Sequence, residues 1–294
     1  MRLAYGLGIN GLDEVPALQA AGAEAEPAWV VAVDQTTAPA PIGIRDGLLH
    51  ALPSGRAVVF RREARTARFH GPPLSPDVIA HPFLTVVGIR FNRWLGRECF
   101  HAGSLAAGGK SWLVFGASSA GKSTLLAALA GAGWEVMADD LTVTDGAVAF
   151  SGPRSIDLRQ PLPERLLPTS VVRAGSRLRV ALPPVADALP IGGFFFLGWA
   201  DDQHAEPVVR PVAPAVLLRR LALDRRLRTL PTDPLVLLEL AGAPAWDLLR
   251  PRAWATLPDT VAVIAETIAS SVASTVASTA GGDVPRRMVD AGQP

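Results

Sequence analysis

Gly116-Ala117-Ser118-Ser119-Ala120-Gly121-Lys122-Ser123 is the stretch on which the reading of this sequence turns. It matches G-x-x-x-x-G-K-[ST] in full, between an apolar run, Trp112 to Phe115, and a segment of helical character, Lys122 to Ala132. A strand, a glycine-rich turn and a helix in that order predict a phosphate-binding loop. Glycines let backbone N–H groups close around phosphate oxygens, and the helix points its positive end at them. Lys122 would then reach the β- and γ-phosphates, and Ser123 would offer its hydroxyl to Mg²⁺. The candidate ATP-binding residues are Gly116, Ser118, Ser119, Ala120, Gly121, Lys122, Ser123 and Thr124. A glycine-rich turn that merely caps a helix is the competing reading, and the preceding strand weighs against it. Lysine occurs only at Lys110 and Lys122, all other basic residues being arginine. A compact ammonium at Lys122 suits a phosphate loop better than a planar guanidinium would.

Working outward, Trp134 to Ala138 reads as a buried strand that ends in Asp139-Asp140. A helix from Lys122 climbs about 16 Å at 1.5 Å per residue, and the strand returns about the same at 3.3 Å per residue. A right-handed crossover therefore brings Asp139 back to the sheet edge that carries the loop. Carboxylates there can hold a metal or take a proton from a hydroxyl nucleophile. On the near side, Cys99 to Ala106 and Ser111 to Phe115 flank Gly108-Gly109 as a hairpin, which puts His101 on a strand beside the loop-bearing one. A lone histidine is more often structural, and spacing alone assigns His101 no role. Asp145-Gly146 between two apolar runs marks another hairpin, so the sheet is mixed, not wholly parallel.

The chain of 294 residues divides, on this reading, into an N-terminal α+β region (1–97), a core bearing the loop (98–268) and an Ala/Ser/Thr/Gly-rich flexible tail (269–294). Strands are expected at Trp29 to Val33, Ala57 to Phe60, Arg177 to Leu182 and Gly193 to Leu197. Helices are expected over Pro82 to Trp94, Val216 to Leu223 and Thr260 to Ile268. A formal charge of +1 gives no general reason to expect nucleic acid. The single cysteine, Cys99, excludes an intrachain disulfide and suits a reducing cytoplasm. With no long apolar segment at the start and no membrane-length run, a cytoplasmic protein without a membrane partner is expected.

Four features combine at particular spacings: His101-Ala102 stands 15 residues before Gly116, the loop follows, and Asp139 stands 17 residues after Lys122 within Ala138-Asp139-Asp140. This pattern resembles the HPr kinase/phosphorylase family and its shorter HprK-like relatives. The resemblance covers residues 99–145, and weakly the stretch to about 265. It implies an ATP- and Mg²⁺-dependent serine kinase with a core similar to phosphoenolpyruvate carboxykinase. Asp139 would be the general base, Asp140 would support the metal with Ser123, and His101 would orient the base. Catalysis would then rest on Asp139, His101 and Lys122.

The departures are also informative. Ala117 and Ser119 replace an acid and an inner glycine of the family loop, and the R-G-x-G segment linked to HPr docking has no counterpart. The sequence is thus more similar to stand-alone HprK-like kinases, some of which modify ribosomally made peptides such as lasso peptide precursors. The implied partner is a peptide or protein carrying a serine, with homo-oligomers common in the family. A sugar or other small-molecule kinase, or a non-catalytic ATP-binding module, would share the same loop. A transport ATPase would need L-S-G-G-Q, and a switch GTPase would need N-K-x-D. The first is not present, and the second is impossible without a lysine beyond Lys122. Arg154 and Arg159 could grip phosphate, although solvated loop arginines are the commoner outcome. The same solvated reading covers Arg61, Arg62, Arg65 and Arg68, and the run Arg219, Arg220, Arg225, Arg226 and Arg228. Cys99 is expected to be a packed strand residue.

Overall fold

The computed structural model describes residues 1–22, 26–41, 47–160, 162, 171–173, 177–201, 206–230 and 233–280. At the N-terminus, β1 (Arg2–Ala4) and β2 (Leu7–Asn10) are joined through Tyr5 and Gly6, both at positive φ, the turn that matches strand twist. They are followed by β3 (Gln19–Ala20), β4 (Val30–Thr36), β5 (Leu48–Leu52), β6 (Arg56–Arg61) and β7 (Thr66–His70). These form one sheet in the order β3-β1-β2-β4-β7-β6-β5, parallel at β2–β4 and β4–β7 and antiparallel elsewhere. The strands expected at Trp29 to Val33 and Ala57 to Phe60 lie in β4 and β6. Next come α1 (Pro76–Val78), an irregular turn Ile79–Phe83, and α2 (Leu84–Trp94). The helix expected from Pro82 is regular α-helix from Leu84, after a break at His81, which is extended (φ −156°, ψ 122°) as the residue before a proline tends to be. Leu84, Val87 and Phe91 share one face of α2 and are buried against the sheet with Val31, Val58 and Phe60.

The second sheet draws on β8 (Glu98–Phe100), β9 (Gly103–Ala107), β10 (Lys110–Gly116), β11 (Glu135–Ala138), β12 (Thr142–Thr144) and β13 (Val148–Phe150), with α3 (Lys122–Gly131) between β10 and β11. A small separate sheet follows: β14 (Ser155–Arg159), β15 (Val171–Arg173) and β16 (Arg177–Ala181), in the order β14-β16-β15. The chain ends with β17 (Ala188–Trp199), β18 (Val208–Pro211), α4 (Pro214–Asp224), α5 (Pro234–Ala241), β19 (Ala245–Arg250) and α6 (Leu257–Ala280). The second sheet runs β11-β9-β10-β17-β13-β12-β8, and β19 also pairs with β17 and carries β18 at its edge. β10 is parallel to β17, and β17 to β19, while both hairpins are antiparallel. The mixed α/β architecture read from the sequence is therefore present.

β10 sits at the centre, buried on both faces. Trp112 and Val114 face the layer of α3 and α6, while Leu113 and Phe115 face α4 and α5. β11 and β10 are each antiparallel to β9, so they run the same way, and the crossover through α3 spans one intervening strand.

Two expectations need correction. The strand expected over Cys99 to Ala106 is two strands. β8 pairs with β12 and β9 pairs with β10, and His101 occupies the bend where the chain changes partners. The flexible tail expected from residue 269 does not begin there. α6 continues through Ala280, where alanine favours helix, and Ile264 and Ile268 anchor it in the core shared with α3. The remainder of that tail, 281–294, lies outside the described residues. At the expected 97–98 boundary the apolar core runs on without a break: Cys99, Leu141 and Val143 pack with the N-terminal sheet and α2. Among the described residues no helix is long and apolar enough to cross a membrane.

Candidate functional site

The glycine-rich loop leaves β10 at its C-terminal end and enters α3 at Lys122. Ser119 (φ 68°) and Gly121 (φ 79°) both adopt the left-handed conformation. The positive φ favours glycine at 121, and a side chain there would also displace the Arg250 guanidinium. Gly116 is packed close, since a Cβ would lie 3.0 Å from the Ala120 methyl and 3.2 Å from Leu197 Cβ.

Lys122 is buried and folds back over the loop. Its ammonium donates to the Gly116 carbonyl at 2.6 Å and lies 3.2 Å from His101 Nε2. The other ring nitrogen, Nδ1, is 3.0 Å from the Asp140 carbonyl oxygen. A carbonyl can only accept, so Nδ1 carries the proton and Nε2 receives one from Lys122. Burial, then the Lys122 charge, holds the His101 pKa below its ordinary value, which keeps the ring in this neutral form. Burial likewise lowers the Lys122 pKa, opposed by Asp140 and Asp139. His101 thus links the loop lysine to the backbone of Asp140, whereas the resemblance implied a contact that orients the Asp139 carboxylate.

The crossover does return Asp139-Asp140 to this edge, and the two residues separate there. Asp140 lines the cavity above the loop, while Asp139 is 4 % exposed and does not line it. Neither carboxylate oxygen of Asp139 makes a hydrogen bond of good geometry among the described residues, although the Ser123 hydroxyl and the Asp157 N–H lie near enough to favour its charged form. Burial, then the neighbouring Asp140 charge, pushes its pKa up to about 7, with Ser123 acting in the opposite direction. A buried carboxylate without a well-formed hydrogen bond, beside the Ser123 hydroxyl, is a donor set suited to a hard divalent cation. No three His, Cys, Asp or Glu side chains converge among the described residues.

The cavity measures about 790 Å³. Its floor is the loop with Thr124, and six cations face it: Lys122, Arg159, Arg177, Arg226, Arg250 and Arg252, against the carboxylates Asp140 and Asp157. The opposite wall comes from the N-terminal region, with Leu52, Pro53, Phe83 and Val86. Arg159 does reach the site, donating to Ser119 Oγ at 3.1 Å. Arg154 does not. It is buried and spends its donors on the carbonyls of Val136, Met137 and Pro183, a brace for β11. The basic run after residue 218 is only partly solvated: Arg220 pairs with Asp247, Arg225 with buried Glu98, and Arg226 faces the cavity. Cys99 is buried and free, with burial pushing its thiol pKa far up.

Arg250, Arg252, Trp199 and Trp254 also line the cavity, without any motif in the sequence to mark them. Their one signal is positional. Trp199 and Arg250 end the apolar strands β17 and β19, which run parallel to β10 and so finish at the loop's edge.

No protein-family model and no curated protein matches this sequence. Among solved structures, the Hpr(Ser) kinase/phosphatase from Coxiella burnetii is similar, with 14 % identity, 58 % of this chain and 97 % of that chain covered, and a TM-score of 0.32.

Proposed function

We propose that this chain is an ATP-dependent kinase that transfers the γ-phosphate to an alcohol, the hydroxyl of a serine in a peptide or protein. The observation that carries this reading is the convergence of a phosphate loop, its lysine and a carboxylate pair on one sheet edge, with Asp140 open to the cavity. The four-part spacing shared with HprK-like kinases supports it. The lack of the R-G-x-G segment favours a ribosomally made peptide, such as a lasso precursor, over HPr as acceptor.

The geometry argues for roles opposite to those the resemblance implies. Asp140 faces the cavity and is the base: it takes the serine proton as the serine oxygen bonds to the γ-phosphorus. The bond from that phosphorus to the β,γ-bridging oxygen breaks, and ADP leaves. Asp139, behind Ser123, supports the metal side. Mg²⁺ there would neutralise charge on the phosphate oxygens. Lys122 must leave the Gly116 carbonyl to meet the phosphates, and His101 limits where its ammonium can swing. The wall formed by Leu52, Pro53, Phe83 and Val86 would receive the acceptor.

The test is a serine-centred peptide library with labelled ATP, read by intact mass. Asp140→Asn should lower kcat by about 10²- to 10⁴-fold with nucleotide affinity retained. If Asp140→Asn turns over as fast as the parent while Asp139→Asn does not, the base is Asp139. If the parent modifies no peptide, the serine-peptide reading fails.

A further inference from the structure

Arg250 closes β19 opposite Trp199, at the edge occupied by the glycine-rich loop. It is 5 % exposed. Its Nη2 donates to the Ala120 carbonyl at 2.8 Å and approaches that of Gly121 at 3.4 Å. The guanidinium lies 4.5 Å over the Trp199 ring, and Arg252 lies 5.6 Å from the same ring. Nε has no partner, and no carboxylate pairs with the group among the described residues. Burial alone pushes its pKa down to about 10. The other deeply buried arginines of the fold behave differently: Arg93 is met by Glu98, and Arg179 by Asp157 and Asp77. Arg154, also without a carboxylate partner, spends all three of its nitrogens on carbonyls. A buried cation with neither a counter-charge nor a full set of acceptors is costly unless an anion completes it.

The two carbonyls show where that anion belongs. In a trans peptide the C=O and N–H point in opposite directions. Drawing the Ala120 carbonyl toward Arg250 therefore turns the Gly121 N–H away from it, toward the hollow of the loop, while the Gly121 carbonyl accepts from the Leu125 N–H at 3.0 Å in the first turn of α3, which aims the Lys122 N–H the same way. We propose that Arg250 is a positioning residue for a phosphate chain: it sets the Ala120–Gly121 peptide in the anion-binding orientation, and the bound phosphates supply the counter-charge it lacks. This rests on the nucleotide-binding part of the function proposed above and not on the transfer chemistry.

Titration calorimetry of AMP and ADP with the parent, Arg250→Met and Arg250→Lys tests it, alongside thermal melting with and without ADP. Arg250→Met should weaken ADP by about 10- to 100-fold and AMP far less, because the loop grips the β-phosphate. Arg250→Lys should recover part of the loss. The ligand-free melting temperature of Arg250→Met should stay within a few degrees of the parent, while its rise with ADP shrinks. Equal losses for AMP and ADP would mark general damage and overturn the role, as would undiminished ADP affinity. Should Arg250→Met fail to fold, Arg250→Lys carries the same comparison. A parent that binds no ADP overturns the nucleotide reading and this role together. Phosphate transfer is not part of the readout, so failure of the kinase chemistry shows separately.

Discussion

At the scale of single residues, the exit of β11 decides which carboxylate meets solvent. Consecutive side chains leaving a strand point to opposite sides, so of Asp139 and Asp140 one turns inward and the other toward the cavity. The inward one, Asp139, holds its proton to about pH 7, through burial first and the Asp140 charge second. An unfolded chain would release that proton near pH 4. Between those values the folded state binds more protons than the unfolded state, so this group makes stability fall as pH rises from about 4 to 7. A cation seated by Ser123 reverses the preference and favours the carboxylate. Binding of Mg·ADP at pH 6.5 should therefore release a measurable fraction of a proton, and far less at pH 8.5. Calorimetry in buffers of different ionisation enthalpy measures this. Heats that do not depend on the buffer at pH 6.5, or a release that survives in Asp139→Asn, would show that the metal does not engage Asp139.

Among elements, the contact of α3 with β9 and the end of β11 sets the position of those carboxylates. Gly103, the first residue of β9, has no room for a side chain: a Cβ would collide with Leu126 of α3 and lie 3.0 Å from the Asp139 carbonyl and 3.1 Å from that of Ala138. Gly103→Ala should therefore push α3 away from the sheet. It should cost about 1–3 kcal/mol and lower kcat more than ADP affinity, because the loop is tethered elsewhere by Arg250. Chemical denaturation with steady-state kinetics reads both, and an unchanged protein would mean that α3 tolerates the shift. This level also shows what the sequence disclosed. The loop, α3, β11 and the aspartate pair were legible because each has a local signature: a spaced motif, a helix of the right length, an apolar run closed by acids. His101 was legible as a participant but not in its contacts, because the break between β8 and β9 is imposed by two different partner strands far along the chain. Arg250 and Trp199 were not legible as site residues. What brings them to the loop is the parallel pairing of β19 with β17 and of β17 with β10, which no short window of sequence encodes.

Across the whole molecule, one wall of the cavity comes from the N-terminal region, and one buried arginine ties that region to the core. Arg179 of β16 donates to Asp157 of β14 through Nε at 2.9 Å and Nη2 at 3.1 Å. It reaches across to the N-terminal region through Nη1 to Asp77 Oδ1 at 2.9 Å and Nη2 to the His81 carbonyl at 2.7 Å. Asp157 also lies 3.4 Å from His81 Nε2 and lines the cavity. Burial works to raise the Asp157 pKa, but His81 and Arg179 together hold it well below the usual carboxylate range. A depressed carboxylate contributes stability that is present above its unfolded value near pH 4 and is lost as pH falls below it. Arg179→Leu removes the cation, leaves Asp157 buried with its partnership broken, and frees the Ser75–Phe83 segment that carries part of the acceptor wall. The expected loss is about 3–5 kcal/mol at pH 7, shrinking as pH falls toward 4 and below, because the buried Asp157 of the variant, without its cation, takes up a proton more readily than in the parent. Urea unfolding followed by tryptophan fluorescence, with limited proteolysis of the 75–83 segment, measures it. A loss under about 1 kcal/mol with no new cleavage would mean that the apolar core shared by α2, Cys99, Leu141 and Val143 suffices to join the two regions, and that the arginine only fills space between them.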